Sequence, residues 1–232
     1  MLLDGRRARP GCEGFLKRKR RSAREDHLRG PIALDCIRSR SRRMNVSAVL
    51  LAGGESRRMG KDKATLLFRG KPLWQIQLEL LRRLAPKEIF VSARTNPVWR
   101  PADVQFVADD PPSRGPLSGL AASLAQMRTK HLLALAIDMP FMTEKYLRFL
   151  CSQIEPGRGV IARVDDRFEP LAAIYPNGAS TDLRSALSSS DFSLQSLINR
   201  IVTADKFRVI PVTQEEKNFF LNVNTLVDLQ AL

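Results

Sequence analysis

Val46-Ser47-Ala48-Val49-Leu50-Leu51 leads directly into Ala52-Gly53-Gly54-Glu55-Ser56-Arg57-Arg58-Met59-Gly60-Lys61-Asp62-Lys63. The first six residues read as an apolar strand. Gly53, Gly54 and Gly60 then let the backbone turn tightly and bring its N–H groups close to phosphate oxygens, which a β-carbon would obstruct. Arg57, Arg58, Lys61 and Lys63 crowd the same loop with positive charge. Basic residues near a loop are often no more than a solvated surface. Here they interleave with glycines straight after a buried strand, so phosphate binding is the stronger reading. Spacing excludes two common nucleotide motifs. The Walker pattern G-x-x-x-x-G-K-[S/T] fails because five residues separate Gly54 from Gly60 and Asp62 follows Lys61. The dinucleotide fingerprint G-x-G-x-x-G is absent as well.

From Val46 onward strand and helix patterns alternate, which predicts an α/β sheet with helices on its faces. Residues 74–84 carry Trp74, Leu78, Leu81 and Leu84 at helical spacing, and 88–93 return as a strand. A short extended piece, 104–107, precedes Asp109. A helix over 117–127 follows, then a buried strand over 132–137 that ends at Asp138. Ligands of open α/β sheets sit beyond the carboxyl ends of the strands, so the glycine loop and Asp138 can share one crevice. The pattern continues with a helix over 143–153 that Thr143 can cap, and strands at 160–163 and 171–175. Helices around 179–187 and 193–201, a strand at 207–212 and a short helix after Asn222-Val223-Asn224 complete it. There is no internal repeat and no Gly/Ser linker after residue 44, so one domain is expected over 44–232.

The chain of 232 residues carries a net charge of +14, unevenly spread. Residues 1–43 hold fourteen Lys and Arg against five acids, a net of +9, which leaves +5 for the remainder. This basic stretch lacks an apolar period and contains Pro10, Gly11, Gly30 and Pro31. It reads as a disordered extension, with Met44 standing just before the first strand. Its Lys17-Arg18-Lys19-Arg20-Arg21 cluster is the sort of run that binds polyanions or directs targeting, but such runs are more often tails, and no specific nucleic-acid partner is expected. No apolar run approaches the roughly 18 residues that span a bilayer. Cys12, Cys36 and Cys151 have neither metal-ligand nor disulfide spacing, which fits a reducing cytoplasm. His27 and His131 are too few for a histidine metal site, and His131 reads as a strand-end residue.

The loop resembles the L-A-G-G-x-S-x-R-M-G-x-D-K signature of the nucleotidyltransferases, and more narrowly that of the molybdenum cofactor guanylyltransferases. Further blocks follow in the family's order: Gly70-Lys71-Pro72-Leu73, Val107-Ala108-Asp109 ahead of Gly115-Pro116-Leu117-Ser118-Gly119, Asp138-Met139-Pro140-Phe141, Glu169-Pro170-Leu171 and Asn222-Val223-Asn224-Thr225. The resemblance implies a three-layer, Rossmann-like nucleotidyltransferase fold with a mostly parallel, mixed sheet. It implies a cytoplasmic enzyme that transfers GMP from GTP to Mo-molybdopterin with Mg2+, serving molybdoenzyme apoproteins or cofactor-delivery proteins. Gly53 favours this guanine-using branch, since the sister cytidylyltransferases usually resemble Leu-Ala-Ala-Gly there.

Residue by residue, Asp138 is the expected magnesium ligand, although an aspartate at a strand end also caps turns. Lys63 and Arg57 would neutralise triphosphate oxygens. Leu51, Ala52, Gly53 and Gly54 would meet the nucleotide through their backbone. Asp109 fits the family's nucleotide-contacting aspartate better than Asp110, though either could stabilise the turn before Pro111-Pro112. Asn222 and Asn224 fall near the metal or the pterin, or else simply form a turn. The family's asparagine after the second long strand has no clear match here, Arg94 standing nearest and Asn96 two residues on. Two rivals stay open: a cytidylyltransferase acting on molybdopterin or another phosphate, and a non-catalytic GTP-binding or cofactor-delivery protein.

Overall fold

Ser47–Leu51 and His131–Ala136 are buried at every position, the pattern of parallel strands covered on both faces, and the computed structural model pairs them side by side. Residues 44–53, 62–109 and 113–223 are described, all within the unit Ser41–Leu232. Their strands are β1 (Ser47–Leu51), β2 (Leu67–Phe68), β3 (Lys71–Pro72), β4 (Glu88–Ala93), β5 (Gln105–Ala108), β6 (His131–Ala136), β7 (Gly159–Val164), β8 (Arg167–Pro176) and β9 (Phe207–Pro211). The helices are α1 (Leu73–Arg83), α2 (Pro116–Gln126), α3 (Glu144–Ser152), α4 (Ser180–Leu187) and α5 (Leu194–Thr203).

Seven strands form one sheet in the order β5-β4-β1-β6-β8-β7-β9. All of them run parallel except β8, which is antiparallel to both of its neighbours. Leu73, Leu78 and Leu81 of α1 pack with Tyr146, Leu147 and Leu150 of α3 on one face. Leu117 and Leu120 of α2 pack with Leu183 of α4 and Leu197 of α5 on the other. The result is the three-layer, mostly parallel but mixed α/β arrangement that the sequence led us to expect. From β1 the chain moves outward through β4 to β5 and then returns by α2 to β6 on the opposite side of β1. That reversal makes the β1/β6 boundary the topological switch point, where a crevice opens at the carboxyl ends of the strands.

Most element boundaries fall within a residue or two of expectation, and the Thr143 hydroxyl caps α3 by accepting from the Tyr146 N–H at 3.2 Å. His131 does open β6, its ring bonded through Nε2 to the Arg158 carbonyl at 3.0 Å. Two features differ. A small hairpin, β2–β3, turns on Arg69 and Gly70, both at positive φ, a geometry that suits a tight two-residue turn. Strand β8 starts at Arg167, four residues earlier than the apolar pattern predicts. Its register with β7 shifts between Ile161 and Arg163, and Pro170 falls in the interval where no ladder N–H is required. The expected helix after Asn224 lies outside the described residues.

Candidate active site

Chain reversal at the switch point brings three distant segments together. Beyond β1, Asp62 caps a single 3-10 turn, Lys63–Thr65, by accepting the Ala64 N–H at Oδ1 (3.0 Å). Lys63 therefore leaves the first position of a capped turn. Beyond β6, the Ile137 N–H donates to the Leu51 carbonyl at 3.1 Å, which holds the start of the next turn against the end of β1. The Lys63 ammonium then donates to Asp138 Oδ2 at 2.9 Å, joining residues 75 apart in sequence. The third segment is the C-terminal motif: the Val223 N–H donates to the Asp138 carbonyl at 2.8 Å, which places Asn222 next to this turn. Gln77 supports the same turn from below, its fully buried side chain donating to the Met139 carbonyl at 2.6 Å. The signal for Gln77 was in the sequence, as a polar residue four positions from Leu73 and Leu81 on an apolar helix face.

Asp109 lies on the other side of β1, where β4 and β5 end. It is buried, and its carboxylate accepts from the Ser92 hydroxyl at Oδ1 (2.9 Å) and from the Ser113 hydroxyl at Oδ2 (3.0 Å). Two glycines make room for it. A Cβ on Gly53 would lie 3.1 Å from Asp109 Oδ2, and one on Gly119 would come within 2.5 Å of Ser92 Oγ. Each Asp109 oxygen keeps a second acceptor direction after these bonds. Ser92, which the sequence reading did not single out, is thus the group that fixes Asp109. Near Arg94, the side chain of Asn96 is engaged in accepting from Arg100 Nε at 2.7 Å.

Of the sequence-derived residues, Leu51, Ala52, Gly53, Lys63, Asp109, Asp138 and Asn222 all stand at the carboxyl end of the sheet or on the turns that border it. Lys63 and Asp138 touch directly, and Gly53 adjoins Asp109. Gly54, Arg57 and Asn224 lie outside the described residues, as do Arg58, Lys61 and Asp110. Glu169 joins the same end from β8: Ala172 pairs with Leu135, and antiparallel β8 carries Glu169 in the direction in which β6 leads to Asp138. Burial pushes its carboxyl up to about 7, against the opposing pull of the Arg167 guanidinium.

A parallel-sheet crevice with a lysine–aspartate pair at the switch point is the setting in which open α/β sheets bind their ligands, and the class to which the comparisons assign this chain is that of the nucleotidyltransferases. Residues 48–206 match the family model of the MobA-like NTP transferase domain, and the chain belongs to this family. Among its relatives, the "Probable molybdenum cofactor guanylyltransferase" of Opitutus terrae is 35% identical over 74% of this chain and 87% of its own length. The "Molybdenum cofactor guanylyltransferase" of Syntrophotalea carbinolica is 33% identical over 79% of this chain and 89% of its own. The crystal structure of molybdopterin-guanine dinucleotide biosynthesis protein A from Archaeoglobus fulgidus shares the fold with a TM-score of 0.67. It is 24% identical, over 80% of this chain and 96% of that one.

Proposed function

We propose that the protein transfers GMP from GTP to the terminal phosphate of Mo-molybdopterin, forming molybdopterin guanine dinucleotide and releasing pyrophosphate. The observation that carries this reading is the Lys63–Asp138 pair at the switch point, one strand away from the Gly53–Asp109 contact. The names of the relatives support guanylyl transfer to the molybdenum cofactor.

In the reaction an acceptor phosphate oxygen bonds to the α-phosphorus of GTP while the bond from that phosphorus to the bridging oxygen breaks and pyrophosphate departs. The nucleophile is already an anion, so no strong general base is needed. The chain's task is to hold two mutually repelling groups in line and to neutralise the leaving group. Lys63, on its capped turn, supplies a fixed cation for triphosphate oxygens, and Arg57 is assigned the same role by resemblance. Gly53 allows close backbone approach, while Asp109, steadied by Ser92 and Ser113, offers acceptors on the nucleoside side. Asn222, beside the Asp138 turn, is assigned by resemblance to the metal or the pterin acceptor.

The donor set suits magnesium. Asp138 presents a carboxylate with about 20% of its side chain exposed. Magnesium commonly takes one or two protein carboxylates and fills its remaining positions with substrate phosphates and water. Bound there, magnesium would neutralise the charge that develops on the leaving pyrophosphate. No helix among the described residues is long and apolar enough to cross a membrane, and the proposed setting is the cytoplasm, with molybdoenzyme apoproteins or delivery proteins as recipients of the product.

Incubating the chain with Mo-molybdopterin, magnesium and each of the four ribonucleoside triphosphates in turn tests the reading. Pyrophosphate release with GTP alone is expected. Release with CTP would assign it to the cytidylyltransferases, and GTP binding without release would make it a binding or delivery protein.

A further inference from the structure

The chain has two tryptophans, and they stack on each other beside the turn that carries Lys63. Trp74 stands in the first turn of α1 and Trp99 in the segment between β4 and β5. Their ring centroids are 5.6 Å apart and their planes 16° from parallel. The Trp99 indole Nε1–H donates to Asp62 Oδ2 at 2.9 Å. The other oxygen of that carboxylate, Oδ1, accepts the Ala64 N–H at 3.0 Å, and the Asp62 carbonyl accepts both the N–H and the hydroxyl of Thr65, at 3.0 and 2.8 Å. Asp62 is exposed, yet three of its oxygens are tied, and among the described residues the tie to Trp99 is the one that comes from outside its own turn.

The exposed position makes that outside tie informative. A carboxylate immediately preceding Lys63 is a natural competitor for its ammonium, since an opposite charge within a few ångströms attracts it whatever the crevice offers. With one N–H on each oxygen, the Asp62 carboxylate is turned to the cap and to the indole. Lys63 is directed instead to Asp138 at 2.9 Å. Trp74 stacks on the indole, and the Leu73 N–H joins α1 to the Leu66 carbonyl at 2.9 Å, so helix, indole and turn are tied to one another.

We infer that Trp99 is a positioning residue for the transfer reaction: by holding the Asp62 carboxylate it aims Lys63 into the crevice, where the lysine meets Asp138 and the polyphosphate of the substrate. The inference rests on the proposed function for the identity of that polyphosphate, and on the structure alone for the Trp99–Asp62–Lys63 relay.

The test is a cycle of variants in the full chain. Trp99→Phe keeps an aromatic ring to stack on Trp74 but loses the N–H together with part of the indole's area. It should raise the KM for GTP about fivefold, while the melting temperature falls by no more than a few degrees, about the weight of one intramolecular hydrogen bond. In a Lys63→Ala background the same change should move KM by less than about twofold, because the group through which Trp99 acts is gone. An unchanged KM in the first case, or an equal rise in both backgrounds, overturns the inference. Asp62→Asn tests the relay from the other end, and decides it should Trp99→Phe prove unstable: it keeps a capping oxygen but removes the charge that competes for Lys63. It should leave the KM for GTP within about twofold by itself and suppress the rise that Trp99→Phe causes; a severalfold rise in either case overturns the inference. Calorimetric titration with GTP and magnesium runs the same cycle without transfer. A chain that binds GTP but transfers nothing overturns the proposed function, and the relay is still decided by the binding cycle.

Discussion

Asp138 and Lys63 neutralise each other across 2.9 Å, while each keeps about a fifth of its side chain open to the crevice. Pairs exposed to this degree add little to stability, commonly about 0–1 kcal/mol, so their value lies in what they present to a ligand. Asp138→Asn keeps the shape and removes the charge. It should leave the melting temperature within about 2 °C while cutting transfer on the order of a hundredfold or more, as loss of a preorganised electrostatic group does. Measuring the rate against magnesium concentration checks this, and near-normal activity at low magnesium would remove Asp138 from the metal role. Gly53 is decided by a neighbour. An added methyl group meets Asp109 Oδ2 at 3.1 Å, so the carboxylate must give way by a few tenths of an ångström and strain its bonds to Ser92 and Ser113. Gly53→Ala is expected to raise the KM for GTP several-fold at a cost of about 1 kcal/mol in stability. Thermal melts read alongside GTP titrations check it, and stability falling in step with activity would mark the glycine as purely structural.

At the level of elements, β8 is the instructive strand. Its apolar half, from Leu171 onward, was readable because it is buried against β6 and β7, while Glu169-Pro170 interrupts the pattern ahead of it. Pairing carries the strand back to Arg167 regardless, since the register shift on β7 absorbs the residue that cannot donate. Glu169 consequently sits half-buried in a strand, with its pKa raised from 4.5 to about 7 because burial disfavours the charged form. For a carboxyl shifted upward, the folded state binds its proton more tightly than the unfolded chain does. Its stabilising contribution is complete below about pH 4.5 and is lost as pH rises towards about 7. Glu169→Gln, neutral throughout, should flatten that part of the stability curve. Urea unfolding of both proteins at pH 4.5 and pH 8 measures the difference; parallel curves would mean that Glu169 ionises in the fold as freely as in water.

At the scale of the whole molecule, the described strands, both core layers and the described site residues lie after residue 43, and the family match spans 48–206. A chain beginning at Met44 is therefore expected to transfer GMP as the full chain does. It should also be retained less on DNA at low salt, because a net of +9 is removed and such binding depends on phosphate neutralisation. Comparing rates and salt-dependent retention for the two lengths checks both statements; loss of transfer with the fold preserved would give residues 1–43 a part in substrate binding. The sequence alone determined the alternation of strands and helices, because burial on one or both faces writes its period into the order of apolar residues. It also supplied the expectation of a phosphate loop over 51–63, because glycines after a strand leave few other uses for interleaved basic residues. What only the tertiary structure decided are the meetings: Lys63 with Asp138, Asp109 with Ser92 and Gly119, Gln77 beneath Met139, and Trp99 on Asp62. Periodicity speaks for each residue's neighbours along its own element. These contacts instead join residues separated by 10 to 75 positions, and they form because the chain reverses direction about β1 and delivers separate strand ends to one crevice.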